Sequence, residues 1–481
     1  MQDPNLSRSF RESSPKSELY DSRRGWQNGF MITIRRVALM ALIFACTGLC
    51  PGVIGGPNIL IFIADDLNRD SLTVYGNRDS RAPHIEKLAA QGWVFDNAFT
   101  TTAMCAPTRA QLYTGLYPVR SGAYPNHSKV RPGVTSLVHD LKAQGYRVGL
   151  NGKRHFGPAS SFPFESVGGG RFNARAISEF VGRSSEEPFC LVVASHSPHV
   201  PWNEGSPENF RAEDLSIPEY WLDTPETREA LTRYFAEIED MDRELGECLD
   251  ILETHSATDD TVVFFSTEQG SQMPGCKWTC YENGLHLGLI IKWPGHLSGG
   301  VRTQAWVHHI DIRPTLMEIA GGQPDSNLDG RSFMSVLTGQ STTHRKVTYG
   351  VHTQLGAIGS PEKGYGIRSI RVGPYKLIRN LNPQATYSNA LTKNDNEGYW
   401  KSWVQQVEEG GDRARHLVRR YLNRPEIELY HLDVDPNELT NLADDPLYAA
   451  LRADLAMSLA EWMESQGDMG QDTEMAAQKH Q

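Results

Sequence analysis

Cys105-Ala106-Pro107-Thr108-Arg109 places a thiol, a helix-starting proline and a guanidinium within five residues. Proline suits the first turn of a helix, where its missing N–H costs nothing, so the spacing predicts a helix through Thr108 to Leu116 with Cys105 at its mouth. Arg109, four residues on, returns to the face that carries Cys105. The unpaired N–H groups of the helix start and this fixed cation then surround one reactive side chain, which makes an anion site with a nucleophile in it. A single cysteine is more often a small buried hydrophobe or half of a disulfide, so the rest of the chain has to supply partners for such chemistry.

Four apolar runs deliver those partners at their ends. Asn58 to Ala64 (NILIFIA) stops at Asp65-Asp66, and Tyr146 to Leu150 leads to Lys153 and His155. Phe189 to Ala194 leads to His196 and His199, and Thr261 to Ser266 leads to Glu268-Gln269. Runs of this kind, rich in branched residues and without polar alternation, read as strands of a parallel sheet covered by helices on both faces. Ligands of open α/β sheets bind beyond the carboxyl ends of the strands, so these groups converge on Cys105. Asp65, Asp66, Glu268 and Gln269 form an all-oxygen set suited to a hard divalent cation, Ca2+ or Mg2+. Taken singly each acidic pair reads as a solvated turn, but at the ends of buried strands an uncompensated cluster is costly. Arg109, Lys153, His155, His199 and Lys277 supply a local cationic pocket beside it.

The positioning elements follow from periodicity and caps. A helix opens at Pro83 and runs to Gly92, a short strand covers Trp93 to Phe95, and Val134 to Gln144 reads as a helix stopped by Gly145. Thr224 caps a long amphipathic helix whose apolar residues recur at Leu231, Phe235, Ile238, Met241, Leu245, Cys248 and Leu252. The fold class is α/β, a large mostly parallel sheet sandwiched by helices over residues 57–341. Residues 342–465 read as a smaller α+β subdomain of shorter strands and a C-terminal helix. They carry a polar insert at 382–425 that contains Tyr399, Trp400 and Trp403, and 466–481 reads as a polar tail.

At 481 residues with 39% hydrophobic and 22% charged residues, the chain can bury a large core and has no room for a dominant disordered region. Its net charge of −11 argues against non-specific nucleic-acid binding and leaves any anion site to local cations. Residues 1–30 read as a non-native or disordered extension. Arg35 and Arg36 precede thirteen mostly apolar residues, VALMALIFACTGL, so 31–52 reads as a signal peptide. The mature protein is then exported, to the periplasm or outside the cell, without a transmembrane helix. Five cysteines remain after 52; Cys276 and Cys280 are spaced to bridge or to stay free, and the odd count leaves Cys105 as the spare thiol.

Cys-x-Pro-x-Arg followed by Thr114-Gly115 resembles the signature of the sulfatases, with Thr108 where many members carry serine. The segment PHIEKLAAQGWVFDNAF is similar to the one joining the same two elements in that family, and the resemblance extends over roughly residues 57 to 465. It implies an alkaline-phosphatase-like fold and conversion of Cys105 to formylglycine by a formylglycine-generating or anaerobic sulfatase-maturating enzyme. The hydrated aldehyde, activated by a metal held by Asp65, Asp66, Glu268, Gln269 and residue 105 itself, attacks sulfur. Lys153 and His155 match the family's Gly-Lys-x-His element, with Arg154 where Trp is common. His199, in Pro-His-Val-Pro, matches the histidine beside the leaving oxygen and protonates it with Lys277, while His155 helps expel sulfate and regenerate the aldehyde. Sulfatases usually carry Asp-Asn where this chain has Glu268-Gln269, each a methylene longer.

His352 and the run Tyr365-Gly366-Ile367-Arg368-Ser369-Ile370 are similar to the sulfamidase (heparan N-sulfatase) branch, but Lys277 stands where that branch carries Arg. The reading is therefore a sulfuric ester hydrolase acting from the end of a sulfated carbohydrate, O-sulfate favoured over N-sulfate, with His196, His352 and Arg368 on the sugar. Arg368 is also spaced to pair with an acidic residue between the two domains. The alternatives are a phosphoester or phosphonate hydrolase of the same superfamily, and a catalytically silent glycan-binding protein in which Cys105 stays a thiol.

Overall fold

Successive side chains of a strand point to opposite faces, and β1 (Asn58–Ala64) fills both. Ile59, Ile61 and Ile63 enter one hydrophobic core, Leu60, Phe62 and Ala64 the other. The flanking strands divide the same way, Val192 and Phe264 to one side, Val193 and Phe265 to the other. Neither face meets water, which is why these runs show no polar alternation. The computed structural model describes residues 56–480 apart from 185, 356, 357 and 361. The expected extension and signal peptide, 1–52, lie outside the described residues. Among those residues no helix is long and apolar enough to cross a membrane.

After β1 come β2 (Trp93–Phe99), β3 (Arg147–Gly152), β4 (Glu165–Ser166), β5 (Phe189–Ala194), β6 (Thr261–Thr267), β7 (His286–Lys292) and β8 (Val301–His308). They form one sheet in the order β4-β3-β5-β1-β6-β7-β2-β8. All neighbours run parallel except at β7, which opposes β2 and β6. The sheet is thus α/β and mostly parallel, as expected. The helix Pro225–Thr254, capped by Thr224, lays Leu231, Phe235, Ile238, Met241, Leu245, Cys248 and Leu252 into the first core.

Strands β3, β5, β1 and β6 are consecutive neighbours, so their carboxyl ends lie side by side, and backbone bonds knit the loops that leave them. Lys153 N donates to Ala194 O (2.8 Å), Ser195 N to Ile63 O (3.0 Å), Asp65 N to Ser197 O (3.2 Å) and Glu268 N to Ala64 O (2.9 Å). Gly152 permits the first of these: its φ is +87°, and a Cβ there would lie 2.1 Å from Ala194 O.

A second, antiparallel sheet contains β9 (Val347–Gln354), β10 (Tyr365–Val372), β11 (Tyr375–Asn380) and β12 (Ile427–His431), in the order β12-β11-β10-β9. The helix Ala449–Ser465 covers it with Leu455, Leu459, Trp462 and Met463. The polar segment 382–425 packs as part of the fold. Its helices Tyr399–Glu408 and Asp412–Leu422 bury Tyr399, Trp400, Trp403 and Tyr421 in the first core, and Trp403 Nε1 donates to Thr227 Oγ1 at 2.9 Å. Within the polar tail, Gln471–Ala476 is a helix whose Glu474 is buried. All five cysteines past residue 56 are free and buried, so Cys276 and Cys280 do not pair.

Candidate active site

The helix that begins at Cys105 runs Cys105–Thr114, with Met104 as its cap residue and Gly115 ending it in the left-handed region. It stops two residues before the expected Leu116 because Gly115 turns the chain. Every residue of this helix is buried. Its start is paired in part by a side chain, since Ala106 N donates to Asn126 Oδ1 at 3.3 Å. Cys105 is 1% exposed yet lines a cavity of about 460 Å3 with His155, His199, Lys277 and Trp278.

Around the Cys105 sulfur the strand ends assemble as their order dictates. Sγ lies 3.6 Å from Asp65 Oδ1, 3.8 Å from Asp66 Oδ1, 3.8 Å from Lys153 Nζ and 3.4 Å from Gln269 Nε2. Lys153 also bonds Asp65, and Lys277 Nζ donates to Asp66 Oδ2 at 2.6 Å. Arg109 is locked behind them, Nη2 donating to Glu268 Oε2 at 3.0 Å and Nη1 to Lys153 O at 3.0 Å. Asp66 and His155 both hold positive φ, +59° and +44°, a conformation that costs non-glycine residues energy and is tolerated where the surroundings over-determine it.

The charges fall unevenly. Burial by itself pushes the Cys105 thiol up, but Lys153 and Lys277 outweigh it and hold it well below the ordinary range, toward the nucleophilic thiolate. Burial is likewise outweighed at Asp65, where Lys153 and Arg109 hold the carboxyl far down. At Asp66 and Glu268 burial wins over Lys277 and Arg109, and both carboxyls sit above their usual range. Burial lowers His199, yet Asp66 beside it leaves the ring's pKa raised. His199 Nδ1 donates to Val200 O, so Nε2 is the nitrogen left facing Asp66, at 3.6 Å.

This donor set fits a hard divalent cation. Three carboxylates meet in a dry pocket, two of them under-ionised for want of positive charge, and Gln269 Oε1 is buried without a hydrogen-bond partner. The ligand atoms of Asp65, Cys105 and His199 also lie within 4.8 Å of one another. Gln269 turns its Nε2 to Asp66, and a half-turn of the amide would present the orphaned oxygen instead.

Three expected sugar contacts lie elsewhere. His196 lines a neighbouring cavity of about 320 Å3 with Glu237 and Glu244, and burial holds its ring down at about 4. His352 is fully buried beneath Tyr387, rings 5.9 Å apart, and does not line the Cys105 cavity that its neighbour Thr353 reaches. Arg368 is fully buried too, bonded to Asp468 and, at 2.7 Å, to Glu474. Arg368 is an ion-pair partner, but of Asp468 and Glu474 in the C-terminal 466–481 segment rather than of a residue in the first domain. Arg368→Met then strands two buried carboxylates and costs about 3–5 kcal/mol. Thermal melts should show the loss, and turnover of small and large substrates should fall together; a selective loss on the large one would restore Arg368 as a sugar contact.

Sequence reasoning missed Asn126, His127, Gln272, Thr353, Gln354 and Leu355, which complete the cavity wall. They sit on loops or at a strand end, where no periodicity marks them.

Comparison with known proteins agrees with this geometry. The sulfatase family model matches residues 57–183 and 171–322, and the model for the C-terminal part of N-sulphoglucosamine sulphohydrolase matches 276–409. An ulvan-active sulfatase of Formosa agariphila is 31% identical over 426 residues, 86% of this chain and 81% of the relative. The human N-sulphoglucosamine sulphohydrolase is 27% identical over 84% of this chain and 89% of its own length. A solved structure in complex with its substrate D-glucosamine-2-N,6-O-disulfate superposes with a TM-score of 0.65 at 18% identity, covering 87% of this chain and 99% of that one. The phosphonate monoester hydrolase of Agrobacterium radiobacter does so at 0.65 and 20%, over 85% and 96%. With the cysteine, the cations and the carboxylate cluster gathered at one set of strand ends and the family model matched across them, the chain belongs to the sulfatase family of sulfuric ester hydrolases.

Proposed function

We propose that this sulfatase releases sulfate from the end of a sulfated carbohydrate, after exported Cys105 has been oxidised to formylglycine by a maturation enzyme, and that Ca2+ occupies the carboxylate cluster. The observation that carries this reading is the Cys105 side chain at the bottom of a cavity, within 4 Å of Asp65, Asp66, Lys153 and Gln269. Formylglycine supplies a hydrated aldehyde as nucleophile. A cation held by Asp65, Asp66, Glu268 and Gln269, with residue 105 beside it, supplies fixed positive charge at the reacting group.

The chain's own residues do the rest. Lys153 and Lys277, bonded to Asp65 and Asp66 beside Cys105, oppose the charge spread over the sulfuryl oxygens, and Arg109 holds Glu268 and the Lys153 carbonyl in place. His199 is committed through Nδ1, which leaves Nε2 to give a proton to the departing oxygen. A cavity of about 460 Å3 has room for a terminal sugar. Lys277 favours O-sulfate over N-sulfate, since a point-charge ammonium stands where the sulfamidase branch uses a guanidinium. The names of the relatives, an ulvan-active sulfatase and an N-sulphoglucosamine sulphohydrolase, support a sulfated glycan as substrate.

The test is turnover of paired aryl sulfate and aryl phosphate monoesters by the mature protein, with the mass of the peptide carrying residue 105 measured alongside. Sulfate release at least tenfold faster, from protein bearing the aldehyde, is the expected result. Faster phosphate release would select the phosphoester reading, and an unmodified thiol with no turnover the silent glycan-binding one.

A further inference from the structure

A histidine outside every motif noted above sits against the active-site His155. His127 Nδ1 lies 2.7 Å from His155 Nε2, with ring centroids 4.7 Å apart, and both rings line the Cys105 cavity. His127 holds a φ of +62°, a left-handed conformation that a side chain occupies at a cost unless neighbours impose it. The neighbours are identifiable. Lys129 N donates to His480 O at 3.0 Å, Val130 N to Gly157 O at 2.9 Å and Arg131 N to Ser121 O at 2.8 Å, so the loop is tied on three sides. Tyr124 OH ties it again, to Thr473 O at 2.8 Å.

We propose that His127 is a positioning residue for His155, fixing which of its ring nitrogens carries a proton. A hydrogen bond between two imidazoles needs one donor and one acceptor, so the shared proton decides the His155 tautomer. The other nitrogen, Nδ1 of His155, is buried without a hydrogen-bond partner, and His155 is within reach of Cys105. That nitrogen is a donor when His127 Nδ1 donates to His155 Nε2, and an acceptor when His155 Nε2 donates to His127 Nδ1. Asn126 Nδ2 lies 3.4 Å from His127 Nε2 and can only donate, which places the His127 proton on Nδ1, facing His155 Nε2, and leaves the His155 proton on its own Nδ1. Cys105 is buried, His155 half-buried and His127 exposed.

The proposal rests on His155 working on residue 105, as the proposed function has it. His127→Gly keeps the backbone freedom and removes the ring; His127→Asn tolerates the same backbone and restores an amide toward His155. With aldehyde content matched by mass, kcat for an aryl sulfate should fall about 10- to 100-fold in His127→Gly, with KM within twofold and the melting temperature unchanged. His127→Asn or added imidazole should recover part of it. An unchanged kcat, or a loss confined to KM, overturns the proposal. Nitrogen-15 shifts of the His155 ring give a reading independent of turnover: they should change in His127→Gly, and identical shifts also overturn it. An inactive wild-type protein would instead sink the proposed function, leaving the ring shifts to decide the role of His127.

Discussion

Cys105→Ala abolishes sulfate release, a loss of at least about 10⁴-fold, while the fold survives with a change in stability of about 1 kcal/mol. The activity is lost because no other side chain in the cavity offers a nucleophile held between two ammonium groups. The fold survives because the substitution deletes one sulfur from a helix whose packing rests on Ala110, Leu112 and Tyr113 further along. Cys105 is buried and faces the cavity. Cys105→Ser refines the result. A serine keeps an oxygen nucleophile but has no aldehyde to re-form, so it should give at most one turnover. Sulfate release and intact mass check both variants, and an active alanine variant would end this mechanism.

Chelation of the purified protein removes about one divalent ion and nearly all activity, and adding back Ca2+ restores it. The argument is electrostatic. Asp65, Asp66 and Glu268 are each about 0–1% exposed, and burial leaves Asp66 and Glu268 under-ionised despite Lys277 and Arg109. A divalent cation is the group that lets all three ionise at once. Asp66→Ala and Glu268→Ala should therefore each lose the ion and at least about 10²–10³ in kcat, read by metal analysis and aryl sulfate turnover. Full activity in metal-free protein would contradict the assignment. Because Glu268 and Gln269 are longer than the usual Asp-Asn, comparing Ca2+ with Mg2+ add-back also reports whether the enlarged side chains shift metal preference.

The sheet and most of the catalytic set were legible in the chain because they are local. NILIFIA marks β1 to the residue, and Phe189–Ala194 marks β5, since a strand buried on both faces must be apolar throughout. The polar residues that end such strands must meet, because neighbouring parallel strands finish together. The burial of segment 382–425 was not legible for the opposite reason. Its helices are polar on one side, and only the groove beside Pro225–Thr254 shows that Trp403 and Tyr421 face inward.

What the sequence determined by itself is the class of chemistry: a cysteine at a helix start, cations and carboxylates at strand ends, and a fold that brings them together. Tertiary structure decided which residues outside those motifs touch the cavity. Arg368 and His352 carry the right functional groups, yet Arg368 is bonded to the buried Asp468 and Glu474 and His352 is buried against Tyr387. His127, in no motif, is delivered to His155 by a loop tied down from Gly157 and His480, contacts more than a few turns away in sequence that no local pattern encodes.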